Sequence, residues 1–253
     1  MGGRVAGLWR HPLKSHGREA LTSVLLHSGG TLPWDRRWAV IHEASHVDAG
    51  NPAWAPCANF ATGARNPALM AITARLDAEG RSLALSHPDR PQISFRPDER
   101  SDVWRFLDWL EPLIDPAQPR PAGIVRLPGR GMTDTEYASV SILSLSSLAA
   151  LSEAAGTALS PARFRGNIWL DGLPPWAEFG LTGREIAIGS ARLRVVEPIR
   201  RCRATTANPE TGAVDLDTLA LLESGWGHRD FGIYAEVVAG GEIALGDPMQ
   251  EAA

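Results

Sequence analysis

The sequence predicts a β-rich α+β fold, in which short strands form a barrel and a few helices lie beside it. Short apolar runs separated by glycine, proline and asparagine are typical of strands. Only a few segments change to the spacing of an amphipathic helix, and regular βαβ alternation is missing. With 253 residues, of which 44% are hydrophobic, the chain is long enough for one large or two small folded domains.

The first half is predicted to contain mostly strands, followed by one helix. Strands are expected at 5–9, 38–41, 71–73 and 83–85. From 102 to 114 the apolar residues recur at helical spacing, with Ser101 or Asp102 as the expected cap. The segment 115–121 is rich in proline and has no periodicity. We therefore predict a domain boundary there, with one domain over 1–115 and another over 122–253.

The second half is predicted to begin with a helix and to continue with strands. Residues 144–155 have helical spacing and are followed by Gly156, a residue type that commonly ends helices. Strands are expected at 168–170, 185–188, 193–196, 233–238 and 243–245, with a short helix at 217–223 among them. Many short strands with few helices favour a barrel over a doubly wound sheet.

Charge and composition exclude several classes of protein. The formal net charge is −4 at pH 7, so the chain lacks the overall basic character of a nucleic-acid-binding or membrane-surface protein. We expect a cytoplasmic protein without a membrane span, because neither a signal peptide nor a run of about 18 apolar residues is present. The two cysteines, Cys57 and Cys202, exclude a disulfide scaffold and a four-cysteine zinc or iron–sulfur site within this chain.

One motif matches the zinc-binding sequence of a peptidase, but its neighbours leave little room for the helix that such a site needs. His42-Glu43-Ala44-Ser45-His46 matches HExxH, which binds zinc when both histidines lie one turn apart on a helix. Here the motif follows the strand-like run 38–41, precedes a Gly-Asn-Pro turn, and has no further glutamate before Glu79. A strand leading into a polar turn is the preferred interpretation, with a zinc hydrolase using His42 and His46 as a minor alternative.

Cys202 lies in a cationic segment. A strand ends at a proline, and Arg200, Arg201 and Arg203 flank the thiol that follows. Cationic neighbours favour the thiolate form of a cysteine, which attacks electrophiles or binds soft metals. A small buried cysteine without a chemical role is the alternative, and the flanking arginines favour a function.

Two other segments add positive charge at the ends of predicted strands. The only lysine of the chain lies in Pro12-Leu13-Lys14-Ser15, and two arginines lie in Arg163-Phe164-Arg165-Gly166-Asn167-Ile168. Either segment alone is consistent with a solvated strand edge. Three cationic patches in an acidic protein predict a site for an anionic, phosphorylated cofactor.

Five motifs occur in order along the chain. They are His11-Pro12-Leu13-Lys14-Ser15, Asp35-Arg36-Arg37-Trp38, Phe164-Arg165-Gly166-Asn167-Ile168, Arg201-Cys202-Arg203-Ala204-Thr205-Thr206 with Asn208-Pro209-Glu210-Thr211-Gly212, and Phe231-Gly232-Ile233-Tyr234 with Gly246-Asp247. Together they resemble the MOSC family, the molybdenum cofactor sulfurase C-terminal domain proteins, preceded by a MOSC N-terminal β-barrel domain. The resemblance covers nearly the whole chain. It implies a MOSC-type β-barrel core with an N-terminal β-barrel-like subdomain and a few helices.

The resemblance also implies roles for single residues. Cys202 is implied as the catalytic thiolate that binds molybdenum. The positions implied to hold the phosphate and pterin of the molybdenum cofactor, a Mo-pyranopterin, are Lys14, Ser15, Arg36, Arg165 and Asn167, with Arg201 and Thr206 as close support. The sequence departs from the family at His11, where an aromatic residue is usual, at Gly166, where proline is common, and at Asn208, where aspartate is common.

The implied activity is the reduction of N-hydroxylated or N-oxide compounds by oxygen-atom transfer to molybdenum, as in the amidoxime-reducing members of the family. Electrons are expected from a separate ferredoxin- or flavin-type donor, because two cysteines cannot hold an internal iron–sulfur cluster.

A second hypothesis makes the chain a non-redox carrier of molybdenum cofactor or persulfide sulfur, with Cys202 as the carrier thiol. Turnover of hydroxylamine-type substrates distinguishes the two hypotheses.

Overall fold

Strands dominate the structure, a computed structural model that describes residues 2–252. The strands of the first half are β1 (Gly2–Arg10), β2 (Glu19–Leu21), β3 (Ser23–Leu26), β4 (Ala39–His42), β5 (Thr73–Leu76), β6 (Leu83–His87) and β7 (Arg90–Phe95). Those of the second half are β8 (Pro121–Val125), β9 (Val140–Ser144), β10 (Ile168–Asp171), β11 (Glu185–Ile188), β12 (Ala191–Arg200), β13 (Asp230–Ala239), β14 (Gly241–Ala244) and β15 (Pro248–Glu251). The α-helices of the described residues are α1 (Arg100–Leu110), α2 (Leu145–Ala155) and α3 (Thr218–Trp226). The predicted β-rich α+β class is confirmed.

A closed barrel forms the larger core. Its strands are neighbours in the order β10, β9, β13, β12, β11, β15 and β1, and β1 pairs with β10 to complete the ring. All of these pairs are antiparallel except β9 with β10. Buried and exposed residues alternate along the first part of β12, so Leu193 and Val195 lie in the barrel core while Arg192 and Arg194 face water.

The chain passes between the two halves of the protein more than once. The first strand, β1, lies in the barrel and pairs with β10 and β15 of the second half. The strand that follows the proline-rich segment, β8, pairs with β4 of the first half. The division into 1–115 and 122–253 stays a prediction.

The first half has a separate apolar core. Strands β5, β6 and β7 form one sheet, and α1 packs against β7 and β8. The rings of Phe95 on β7 and Phe106 on α1 stack with their centroids 4.4 Å apart, and Trp109 continues the contact. Burial of these aromatic side chains stabilises the packing of α1 against the sheet.

The helix ends agree with the predictions for α2 and differ for α1. The Ser144 side chain accepts a hydrogen bond from the Ser147 amide, and Gly156 ends α2 with a φ of 65°, as expected. Helix α1 begins earlier than predicted, and the predicted cap at Ser101 or Asp102 is wrong. Asp102 lies inside the first turn, where its carboxylate accepts hydrogen bonds from the amide and the guanidinium of Arg96.

Within residues 2–252, the helices are too short or too polar to cross a bilayer.

Substitution at Gly131 tests a close approach between two backbone segments. A Cβ at Gly131 would lie 2.1 Å from the carbonyl oxygen of Asp35, which cannot move without displacing the Asp35-Arg36 turn. We expect Gly131→Ala to lower the free energy of unfolding by about 1–3 kcal/mol, measured by urea denaturation. Gly180→Ala is the control, because a Cβ there meets nothing within 4 Å. Equal stability of the two variants would contradict the close approach.

Candidate active site

A cavity of about 540 Å³ is lined by residues from both halves of the chain. Its walls include the segment after β1, the turn before β4, the loop between β4 and β5, and the end of β12. The predicted site residues that line it are Lys14, Ser15, Arg36, Arg165, Arg201 and Cys202. Residues far apart in the sequence therefore meet around one space.

Asn167 and Thr206 lie beside the cavity rather than on its wall. The Asn167 side-chain oxygen accepts hydrogen bonds from the amide and hydroxyl of Ser141, at 3.1 and 2.8 Å, and its amide nitrogen donates to the Trp9 carbonyl at 3.2 Å. The Thr206 hydroxyl donates to the Arg203 carbonyl at 2.7 Å. Both side chains hold backbone that carries cavity residues.

A buried carboxylate, Asp35, connects three of the segments that form the cavity. It accepts hydrogen bonds from the backbone amide of His11 at 2.7 Å and from the His11 ring at 3.2 Å, and it pairs with the Arg36 guanidinium. Arg36 in turn donates to the Arg165 carbonyl at 3.2 Å. Burial opposes ionisation of Asp35, but Arg36 and His11 hold the pKa of its carboxyl well below the usual range. Burial, together with the charge of Arg165, lowers the pKa of His11 to about 3.

Three cavity residues have a left-handed backbone. Ser15, Arg36 and Arg165 have φ values of 63°, 49° and 50°. Within residues 2–252, the only other non-glycine residues with positive φ are Trp34 and Trp176. The left-handed conformation is unfavourable for residues with a Cβ. Non-glycine residues that adopt it are concentrated at functional sites, where the surrounding structure imposes it.

Lys14 is buried and anchored on one side of the cavity. Its ammonium group donates to the Met132 carbonyl at 3.0 Å and pairs with Asp134. The Cys57 thiol also donates to Asp134, at 3.2 Å. Partial desolvation opposes ionisation of Asp134, but Lys14 and Arg36 hold the pKa of its carboxyl well below the usual range. Partial desolvation and the Asp134 carboxylate raise the pKa of the Cys57 thiol to about 11.

Arg165 is a cavity cation with unused hydrogen-bonding capacity. Its Nη2 atom is buried and has no hydrogen-bond partner within residues 2–252. Burial, with the charge of Arg36 next in effect, lowers the pKa of Arg165 to about 9. An anion in the cavity would satisfy the free donor and offset the repulsion between these two guanidinium groups.

Cys202 presents a free thiol from a tightly held turn. The carbonyl of Cys202 accepts hydrogen bonds from the amide and hydroxyl of Thr205, at 3.2 and 3.1 Å, and the thiol is exposed. Arg201, the residue before it, lies over the rings of Phe164 and Phe231 and donates to their carbonyls. Burial lowers the pKa of Arg201 to about 10. Arg201 therefore positions the backbone that carries the thiol.

Sequence reasoning did not assign a role to Arg163, which fixes the other side of the Cys202 turn. The buried guanidinium forms a two-pronged ion pair with Asp215, at 2.8 and 3.0 Å, and donates to the Thr205 carbonyl at 3.2 Å. Its position beside Arg165 in a cationic segment was the only sequence signal for it. Asp134 and Cys57 carried no motif, because their proximity to Lys14 depends on the tertiary fold.

The HExxH letters do not form a zinc site. His42 is the last residue of β4, and the chain turns after it through a hydrogen bond of 2.8 Å from the Ser45 amide to the His42 carbonyl. The His42 ring donates to the Ala58 carbonyl at 2.8 Å, and His46 is exposed. The predicted strand leading into a polar turn is confirmed. Across residues 2–252, no cluster of three or more histidine, cysteine, aspartate or glutamate side chains could hold a metal ion.

Comparison with protein families matches two domain profiles along the chain. The profile of the MOSC domain matches residues 131–250, and that of the MOSC N-terminal β-barrel domain matches residues 2–108. The chain belongs to the MOSC family. This MOSC protein is 24% identical to human mitochondrial amidoxime-reducing component 1, over 98% of this chain and 82% of that protein. The family prediction is confirmed.

Solved structures give more distant matches to this MOSC protein. The YuaD protein of Bacillus subtilis has a TM-score of 0.47 and 14% identity, over 98% of this chain and 94% of that chain. YiiM of Geobacillus stearothermophilus has a TM-score of 0.36 and 21% identity, over 45% of this chain and 54% of that chain.

The contact between Cys57 and the Asp134–Lys14 ion pair gives a testable pH dependence of Cys57 alkylation. In a Cys202→Ala background, we expect the rate of Cys57 alkylation by iodoacetamide to rise with pH until about pH 11, because the thiolate is the reacting form. Asp134→Asn removes the carboxylate that disfavours the thiolate, so the pKa of Cys57 falls and alkylation at pH 8 accelerates severalfold. Glu136→Gln, which neutralises an exposed carboxylate nearby in the sequence, is the control. Identical pH profiles for all three proteins would contradict the Cys57–Asp134 contact.

Proposed function

We propose that this MOSC protein is a molybdenum-cofactor-dependent reductase of N-hydroxylated or N-oxide compounds that takes electrons from a separate ferredoxin- or flavin-type donor. The observation that carries the proposal is the convergence of Lys14, Ser15, Arg36, Arg165 and Cys202 on one cavity. The likeness to human mitochondrial amidoxime-reducing component 1 supports the same reaction class.

The cavity residues fit the chemistry of the molybdenum cofactor. The phosphate and polar pterin of that cofactor need cations and hydrogen-bond donors, and Arg165 has a buried donor without a partner. Molybdenum needs a soft ligand, and the exposed thiol of Cys202 opens on the same space. The strained backbone at Ser15, Arg36 and Arg165 is the kind of cost that is retained where a ligand has to be positioned.

Five residues on the cavity wall have roles in the proposed site. Arg36, Arg165 and Ser15 would hold the phosphate and pterin. Lys14 would add positive charge, and Cys202 would supply the sulfur ligand of the protein. When bound, the molybdenum cofactor supplies the redox centre that removes oxygen from the N–O group of the substrate.

The surrounding residues keep these groups in place without taking part in the redox step. Arg201 and Arg163 hold the backbone on either side of Cys202 through hydrogen bonds to the carbonyls of Phe231 and Thr205. Asp35 forms an ion pair with Arg36, and this pair keeps the largely buried guanidinium of Arg36 charged. Preorganised charges of this kind avoid the cost of ordering the site when a ligand binds.

Replacement of Cys202 tests the proposal directly. We expect Cys202→Ala, produced in a host that makes molybdenum cofactor, to lose reduction of benzamidoxime by at least about 100-fold, because the metal loses its protein ligand. Molybdenum content by plasma mass spectrometry is expected to fall in the same variant. Cys57→Ala is the matched control for metal content, because Cys57 donates to Asp134 and is not assigned to the metal.

Full reduction of benzamidoxime by Cys202→Ala would contradict the assignment of Cys202. Wild-type protein with persulfide on Cys202, bound cofactor and no turnover would instead favour the carrier hypothesis, which the exposure of this thiol also allows.

A further inference from the structure

Two arginines on the cavity wall have no role in the arrangement described above. Arg65 and Arg200 line the cavity and are exposed, and neither forms an ion pair or a side-chain hydrogen bond within residues 2–252. Many exposed arginines elsewhere pair with a carboxylate, as Arg105 does with Asp102 and Arg184 with Glu251. These two guanidinium groups are available to a ligand.

The carboxylates of the cavity wall are already engaged. Asp134 pairs with Lys14, and Glu197 accepts a hydrogen bond of 2.7 Å from the Tyr137 hydroxyl. Neither Arg65 nor Arg200 forms an ion pair with these acidic side chains, although Glu197 keeps its negative charge on the same wall.

Both arginines belong to backbone that lies close to Cys202. Arg200 ends β12 and is separated from Cys202 only by Arg201. Arg65 lies on the loop that contains Gly63, and a Cβ built at Gly63 would lie 3.6 Å from the Cβ of Ala204 in the turn after Cys202. Both side chains therefore line the cavity that Cys202 also lines, Arg200 from the barrel and Arg65 from the first half of the chain.

The Arg65 loop is ordered by its own hydrogen bonds. The amides of Arg65 and Asn66 donate to the Thr62 carbonyl at 3.1 and 2.9 Å. The Asn66 side-chain oxygen accepts from the Asp115 amide at 2.9 Å, which ties the loop to the segment after α1. A guanidinium on such a loop loses little backbone entropy when it binds a ligand.

Apolar side chains complete this part of the cavity. Ala58, Ala64, Met70 and Ala204 line it together with the two arginines. A wall of small apolar groups with a few fixed charges is typical of a site for a small molecule with an apolar body.

We propose that Arg65 and Arg200 bind a carboxylate of the substrate, so that the site selects N-hydroxylated compounds with an apolar body and a carboxylate group. This inference rests on the proposed reductase function and names its substrate class. The cofactor phosphate is assigned to Arg36 and Arg165, so the two exposed arginines near Cys202 are left for the substrate. The planar fork of arginine matches a carboxylate, which makes two parallel hydrogen bonds with it.

The test compares three substrates that share the benzamidoxime group: benzamidoxime, 4-carboxybenzamidoxime and the methyl ester of the latter. Chemically reduced methyl viologen supplies electrons, so that a protein donor does not enter the measurement. The proteins are wild type, Arg65→Gln, Arg200→Gln, the double variant and the control Arg192→Gln. Arg192 is an exposed arginine at the other end of β12.

We expect wild-type protein to prefer the carboxylate over its ester by about tenfold in kcat/KM at low salt, mainly through KM. Arg65→Gln and Arg200→Gln should remove most of this preference and leave the ester and benzamidoxime within about twofold. Arg192→Gln should keep the preference. Equal rates with the carboxylate and the ester in wild type, or an equal loss for all substrates in the variants, would overturn the proposal.

A binding measurement keeps the proposal separate from the reductase function. We expect calorimetry to show 4-amidinobenzoate, the reduced product, binding wild type about tenfold more tightly than its methyl ester, and the double variant binding both equally. If wild type reduces none of the amidoximes, the reductase function fails, and this comparison still decides whether the arginines bind a carboxylate. Equal binding of acid and ester by wild type would overturn the proposal.

Discussion

The buried carboxylate of Asp35 is the interaction on which the arrangement of the cavity depends. It binds the His11 amide after β1 and the adjacent Arg36, and Arg36 reaches the Arg165 carbonyl. Buried ion pairs add little net stability, because desolvation of both charges offsets their attraction. The value of this pair lies in the positions it imposes, since it brings three strained segments together and keeps Arg36 charged away from water. Gly131 also packs closely against the Asp35 carbonyl, which helps to hold the Asp35-Arg36 turn in place.

The cavity wall carries an excess of positive charge. Burial and Arg36 lower the pKa of Arg165 to about 9, so its charged form is held at a cost at neutral pH. An anion beside Arg165 removes that cost and raises the pKa again, which couples anion binding to the stability of the cavity wall. The net charge of −4 for the chain hides this local excess, because arginine and lysine outnumber acidic residues on the cavity wall.

The sequence was most informative where the signal is local. The strands β1, β4, β6 and β10 to β14, the Gly156 end of α2 and the cationic segment around Cys202 were predictable from neighbouring residues. The predicted strand at 71–73 is wrong, because residues 67–71 form a 3-10 helical turn and the strand begins only at Thr73. Closure of the barrel through β1 and β10 was not predictable, because strand pairing between distant segments leaves no local pattern. Asp102 is a second example. Its residue type favours a helix cap, but it lies in the first turn of α1, where its carboxylate accepts a hydrogen bond from the Arg96 amide.

The same distinction holds for the site. Motifs marked Lys14, Arg36, Arg165 and Cys202, whereas Asp134 and Arg65 enter the cavity only through the tertiary fold. Asn167 and Thr206 were identified by motif but hold backbone instead of lining the space.

X-ray absorption at the molybdenum edge tests the proposal that Cys202 binds molybdenum in this cavity. Protein from a host that makes the cofactor is compared with Cys202→Ser, which offers oxygen in place of sulfur. We expect one sulfur ligand fewer on molybdenum in the variant, and identical sulfur shells in the two proteins would show that Cys202 is not a ligand.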